Sequence, residues 1–120
     1  MSTSEAKRRK SSHPLRSLTP LHVIGLFLTA ITGAVHLWLG VTNPSVALFT
    51  AGIGFVVGIV AVAADIRRQT VVKLGIPFTA TQFVYYLATH FDHITQIGAV
   101  DKVVQFGLLV VLVSIVRTTT

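Results

Sequence analysis

Between Leu21 and Val41 the chain runs for about twenty residues, LHVIGLFLTAITGAVHLWLGV, without an Asp, Glu, Lys or Arg. At about 1.5 Å of rise per residue, a helix of that length crosses the roughly 30 Å hydrocarbon core of a bilayer. The stretch therefore predicts a first transmembrane helix. It is also patterned: His22, Gly25, Thr29, Thr32, His36 and Gly40 follow one another at spacings of three or four and share one face. Ile24, Leu28, Ile31, Val35 and Leu39 fall on the other faces. A helix surrounded only by lipid has no use for a polar face, so this one is expected to turn towards other helices.

The composition fits a membrane protein: 52% of residues are hydrophobic and only 12% charged, with a mean hydropathy of +0.73, where soluble proteins carry about a quarter charged residues. With 120 residues there is room for one domain. The absence of cysteine excludes disulfides, thiol catalysis, iron–sulfur clusters and Cys-based zinc sites. A net charge of +6 does not point to nucleic acid. Five of the ten cations, Lys7, Arg8, Arg9, Lys10 and Arg16, lie in the first sixteen residues and the rest cluster near helix ends, where membrane orientation accounts for them. Residues 1–18 are too polar to build a core, so they are expected to form a disordered basic tail whose cations meet anionic lipid headgroups. The apolar run that follows is longer than the roughly 7–15 residues of a signal-peptide core and no A-x-A site ends it, so the first helix is expected to stay.

Three more helices follow from punctuation and apolar length. Thr19-Pro20 marks the start of the first, because threonine caps orphan amides and proline at the first helical position gives up an N–H that had no partner. Gly40 suits its exit, and Asn43-Pro44 opens the second only a few residues later, which makes the two antiparallel neighbours. The second helix, about 44–64, carries Ala47, Ala51, Gly54, Gly58 and Ala61 at spacings of three and four, a small-residue seam suited to close packing against a helix of this chain or of a second copy. Because Pro77 is tolerated best in a first turn, the third helix is expected over about 74–91, with Gln69 to Lys73 running along the interface. The fourth is expected over about 97–116. The predicted architecture is all-α, an integral membrane four-helix bundle over residues 19–117 behind the basic tail.

Four spans put the tail cations, Arg67, Arg68, Lys73 and Arg117 on one side, with Lys102 alone on the other. Nine cations against one is a strong positive-inside bias, and it predicts a cell-membrane protein with both termini cytoplasmic.

The candidate chemistry lies towards the outer ends of the helices. In an antiparallel hairpin, residues equally far from the loop share a depth, which levels His90 with Asp101 and puts His36 slightly deeper, near Tyr86 and Gln105. His93 and Asp92 fall in the loop. Three readings compete. Thr29, Thr32, His36, Gln82, Tyr86 and Gln105 form a polar bundle interior that only joins helices, each bond contributing about 0.6 kcal/mol. Alternatively, His36 and His90 hold haem, or His90, His93 and Asp101 hold a metal, since four-helix bundles often seat cofactors between facing helices. The third is a proton or ion pathway, the default functional hypothesis for ionisable groups inside a membrane. No phosphate loop, nucleophile elbow or metalloprotease motif is present.

Thr19-Pro20-Leu21-His22, Gly33-Ala34-Val35-His36-Leu37, Leu74-Gly75-Ile76-Pro77-Phe78-Thr79 and Val100-Asp101-Lys102-Val103-Val104-Gln105 together resemble an uncharacterised family of small four-span membrane proteins of haloarchaea. The resemblance covers most of the chain beyond the tail and implies a location and a topology, without an activity or a ligand. The chain is also similar in size to the small multidrug exporters, but the functional glutamate of their first span has no counterpart, the available polar residue being His36. The function expected is therefore non-enzymatic and cofactor-free: an assembly, packing or accessory subunit that forms a homo-oligomer or joins a partner membrane subunit. A haem- or metal-binding redox subunit and a minimal oligomeric transporter are the alternatives.

Overall fold

The computed structural model describes residues 17–90, 92 and 94–119. The basic tail, with Lys7, Arg8, Arg9, Lys10 and Arg16, and His93 lie outside the described residues. Four helices account for nearly all that is described: α1 Pro20–Thr42, α2 Val46–Ala63, α3 Arg68–His90 and α4 Gln96–Thr119. Among the described residues there is no strand.

Local signals set the ends. The Thr19 hydroxyl accepts the His22 N–H at 3.3 Å ahead of Pro20, and the Asn43 N–H closes α1 on the Leu39 carbonyl at 2.9 Å. Ser45 caps α2 by accepting the Leu48 N–H at 3.2 Å, and Thr95 does the same for α4 with Gly98 at 3.1 Å. The turn from α2 to α3 is tight, with Asp65 and Arg67 at φ of 59° and 49°, and Arg68 reaches back to bond the Val62 carbonyl through Nε at 2.8 Å.

The third helix differs from expectation. It begins at Arg68, so Gln69 to Lys73 are helical and Pro77 lies in the helix interior. Proline there removes the bond that its N–H would have made to the Lys73 carbonyl. Burial of Val72 in the apolar core and the anchoring of Arg68 on α2 offset that cost, so packing overrides the local signal.

The short connections make the helices alternate in direction, and each packs on its sequence neighbours while α4 also returns to α1. Residues 43–45, Asp92, Ile94 and Thr95 lie at one end of the bundle, called here the hairpin end. Thr19, the α2–α3 turn and Arg117 lie at the other, the terminal end. Large apolar side chains cover the outside: Phe27 is 66% exposed, Trp38 56% and Val103 73%. Inside, Thr32 and Gln105 are fully buried. An apolar exterior around a polar interior is the arrangement suited to lipid rather than water. By length and composition α1, α2 and α4 are each able to cross a membrane, whereas α3 carries too many polar residues to meet that mark.

The helices that approach most closely are α1 and α2, and glycine permits it. A Cβ added at Gly40 would lie 2.6 Å from the Phe49 backbone nitrogen, and one at Gly52 would lie 2.7 Å from the Leu37 side chain and 2.9 Å from its backbone nitrogen. The close seam thus runs through Gly40 and Gly52. The residues expected to form a seam, Ala47, Ala51, Gly54, Gly58 and Ala61, face the α3 side instead: a Cβ at Gly54 would lie 2.7 Å from the tip of the Phe78 ring, so α3 packs closely there through a side chain, whereas one at Gly58 would meet only Val71 at 4.0 Å. The spacing of small residues was legible, but the contact with α1 is made through Gly52, which lies outside that spacing, on the face that carries Phe49 and Phe55.

Candidate functional site

A polar centre lies inside the hairpin half. Asp101 sits five residues into α4, roughly 8 Å along it, and is 3% exposed. Its Oδ1 accepts the Thr32 hydroxyl of α1 at 2.7 Å, and its Oδ2 is 3.1 Å from the Lys102 ammonium. Thr32 is unlike several other hydroxyl residues of the described helices. Thr29, Thr42, Thr89 and Ser114 each donate to the carbonyl four residues back in their own helix, whereas Thr32 bonds across the bundle.

His36 lies one turn further along α1. Its Nδ1 is 2.8 Å from the Thr32 carbonyl, which only accepts, so Nδ1 carries the proton. The same nitrogen is 4.0 Å from Asp101 Oδ1, and the imidazole leans on Phe55 of α2 with ring centres 5.4 Å apart.

Lys102 is the functional residue that sequence reasoning missed. Expected as the lone outer cation, it is 8% exposed, with its ammonium paired to Asp101, donating to Gln105 Oε1 and lying 4.9 Å above the Tyr86 ring. Neighbours in a helix do not face each other, so Asp101 and Lys102 gave no pairing signal; the three-residue spacing from Lys102 to Gln105 was the only cue. Gln105 Nε2 then reaches Gln82 Oε1 of α3 at 3.5 Å, and Gln82 donates to the Phe78 carbonyl at 3.2 Å. The four helices therefore meet at one cluster, three through hydrogen bonds or ion pairs and α2 through the Phe55 ring.

Removing an ion from water costs several kcal/mol, and the cost is offset only when partners surround it. Here the carboxylate has an ammonium and a hydroxyl, and the ammonium has a carboxylate, an amide oxygen and an aromatic face. The arrangement suits a clamp. It presents no activated nucleophile.

The remaining expected residues divide. Tyr86 is half-buried, and its hydroxyl accepts the Thr95 N–H at 3.3 Å, tying the loop to α3. Thr29 is half-buried and bonded within α1. His90 is exposed, stacked on Tyr86 at 4.6 Å and paired with the Thr89 hydroxyl at 2.8 Å, so it has no partner in common with His36. A haem held between His36 and His90 does not fit these positions, because one imidazole is inside the bundle and the other on its surface. Of the expected metal set, His93 lies outside the described residues, while the Asp101 oxygens are engaged by Thr32 and Lys102 and His90 stacks on Tyr86; among the described residues no three His, Asp or Glu side chains converge.

Comparison with protein-family models, with characterised proteins and with solved structures returns no match.

Proposed function

We propose that the chain is a four-span, non-enzymatic membrane protein with both termini in the cytoplasm, serving as an assembly or accessory subunit. The observation that carries this reading is the inverted distribution of polarity, an apolar surface around the mutually bonded Thr32–Asp101–Lys102–Gln105 centre. In this reading α3 is the fourth span. Its polar residues do not argue against that, because Thr79 is buried and Gln82 half-buried, while Leu74, Val84 and Tyr85 face outward. Orientation is supported too: Arg67, Lys73 and Arg117 share the terminal end, and the one cation at the hairpin end, Lys102, is neutralised by Asp101.

The native sequence has no cysteine, so single cysteines at Ser4, Thr42, Thr95 and Thr119 report sidedness directly. Impermeant maleimide on intact cells labels Thr42→Cys and Thr95→Cys only. Labelling at Ser4 or Thr119, or protection of both loop positions, ends the topology. For the accessory role, native electrophoresis from mild detergent gives a complex larger than the 12.9 kDa chain; a monomer at every detergent concentration removes it.

A proton or ion pathway is the second reading, favoured by the buried Asp101–Lys102 pair. Flux into liposomes that is lost in Asp101→Asn would promote it above the first.

A further inference from the structure

The terminal half of the bundle holds a partly open cavity of about 430 Å³ between α2, α3 and the α1–α4 pair. Gly54, Gly58, Val62, Val72, Thr79 and Leu112 are among its walls. Protein interiors are close-packed and hold few voids larger than a water molecule, so a space of this size, within the roughly 300–1,000 Å³ of ligand pockets, calls for an occupant. Its walls are overwhelmingly apolar, which excludes a chain of waters and selects a hydrocarbon. Gly58 is the clearest case of unfilled space, since an added Cβ would meet nothing nearer than Val71 at 4.0 Å.

Two further observations indicate what kind of hydrocarbon. The cavity shares His22, Val72 and Ile115 with a polar recess at the terminal end lined by Asp65, Arg67, Arg68 and Lys73. Asp65 faces Arg68 at 3.7 Å, whereas Arg67 and Lys73 are exposed and, among the described residues, in no ion pair. The recess is therefore left with two unopposed cations above an apolar well. Deeper in the well, Thr79 is 1% exposed and its hydroxyl has no hydrogen-bond partner, unlike the back-bonded hydroxyls elsewhere in the chain. A buried hydroxyl without a partner costs about 1–3 kcal/mol, and it marks the depth to which the protein leaves the well unfilled by side chains of its own.

We propose that this half of the bundle binds one anionic glycerophospholipid, with its phosphate at Arg67 and Lys73 and one chain in the cavity beside Gly58. The proposal goes beyond the accessory-subunit reading and rests on it only in requiring the bundle to be in a membrane. Gly58 acquires a role: it makes room for a chain where a side chain would otherwise fill the bundle.

The test uses the full chain in zwitterionic detergent, offered phosphatidylglycerol or phosphatidylcholine of the same acyl composition, with bound lipid counted by native mass spectrometry. Phosphatidylglycerol is expected at one copy per chain, retained at least five-fold over phosphatidylcholine. Arg67→Gln with Lys73→Gln changes only exposed side chains and should abolish the preference, while the basic tail remains intact as an internal control. Gly58→Leu fills the cavity and should reduce retention of both lipids with helicity unchanged. Equal retention of the two lipids by the native chain, or full retention of phosphatidylglycerol by the double variant, overturns the proposal. A chain that passes the cysteine labelling test yet holds no lipid overturns it alone and leaves the four-span reading standing.

Discussion

The two halves of the bundle solve the interior differently. At the hairpin end polar side chains fill the space and bond one another, from Thr32 through Asp101 and Lys102 to Gln105. Towards the terminal end the apolar residues Phe55, Val62, Val72, Leu108, Leu112 and Ile115 pack around an opening. Phe55 stands at the boundary, touching His36 on one side and Phe78 on the other with ring centres 5.4 and 5.0 Å apart. Directional bonds make the first half specific, because each partner must be in place for the others to be satisfied. The second half has no such demand and can tolerate a space. In a membrane, where apolar burial supplies no drive between helices, the clamp and the glycine seam must carry most of the association.

The comparison breaks most sharply at Asp101. Asp101→Leu leaves Lys102 buried without its counter-ion and should cost about 3–5 kcal/mol, read as lowered thermal stability of helicity in detergent. The paired change Asp101→Leu with Lys102→Leu removes both charges and should recover most of that loss. If the single variant is as stable as the native chain, the clamp contributes nothing. Next is the glycine seam. Gly52→Ala places a methyl against the Leu37 backbone and should cost about 1–3 kcal/mol, whereas Gly58→Ala, in the open half, should be near neutral. Equal effects at the two glycines would erase the difference between the α1–α2 and α2–α3 interfaces.

Smaller effects sharpen the picture within the clamp. Thr32→Val keeps shape but removes the hydroxyl that reaches Asp101, and should cost about 1 kcal/mol. Thr29→Val, which loses only a bond within its own helix, should cost less; a reversed order would mean that the bond across the bundle is not made. His36→Gln should be nearly silent if the imidazole only bridges the Thr32 carbonyl and Phe55. A Soret band in the native protein that disappears in both His36→Gln and His90→Gln would instead restore the haem reading against the positions found for the two rings.

The sequence by itself determined the helical class, the number of helices and, to within a few residues at most ends, their bounds. Charge-free apolar runs and a local cap such as Thr19-Pro20 are properties of contiguous residues, so they are legible without a fold; Asn43-Pro44, expected to open the second helix, instead precedes the cap at Ser45. It also determined the face of α1 that turns inward, because His22, Gly25, Thr29, Thr32, His36 and Gly40 repeat at the helical period and all but the half-buried Thr29 are buried. Only the tertiary structure decided the start of α3, where core packing of Val72 outweighs the cost of Pro77; the close approach of Gly52 to the Leu37 backbone while Gly58 stays open; and the burial of Lys102 with Asp101. Each of these depends on the rotation of one helix about its axis relative to another. A period shows that a helix has faces, but which face meets which neighbour is settled by the shapes and charges of residues far away in the chain.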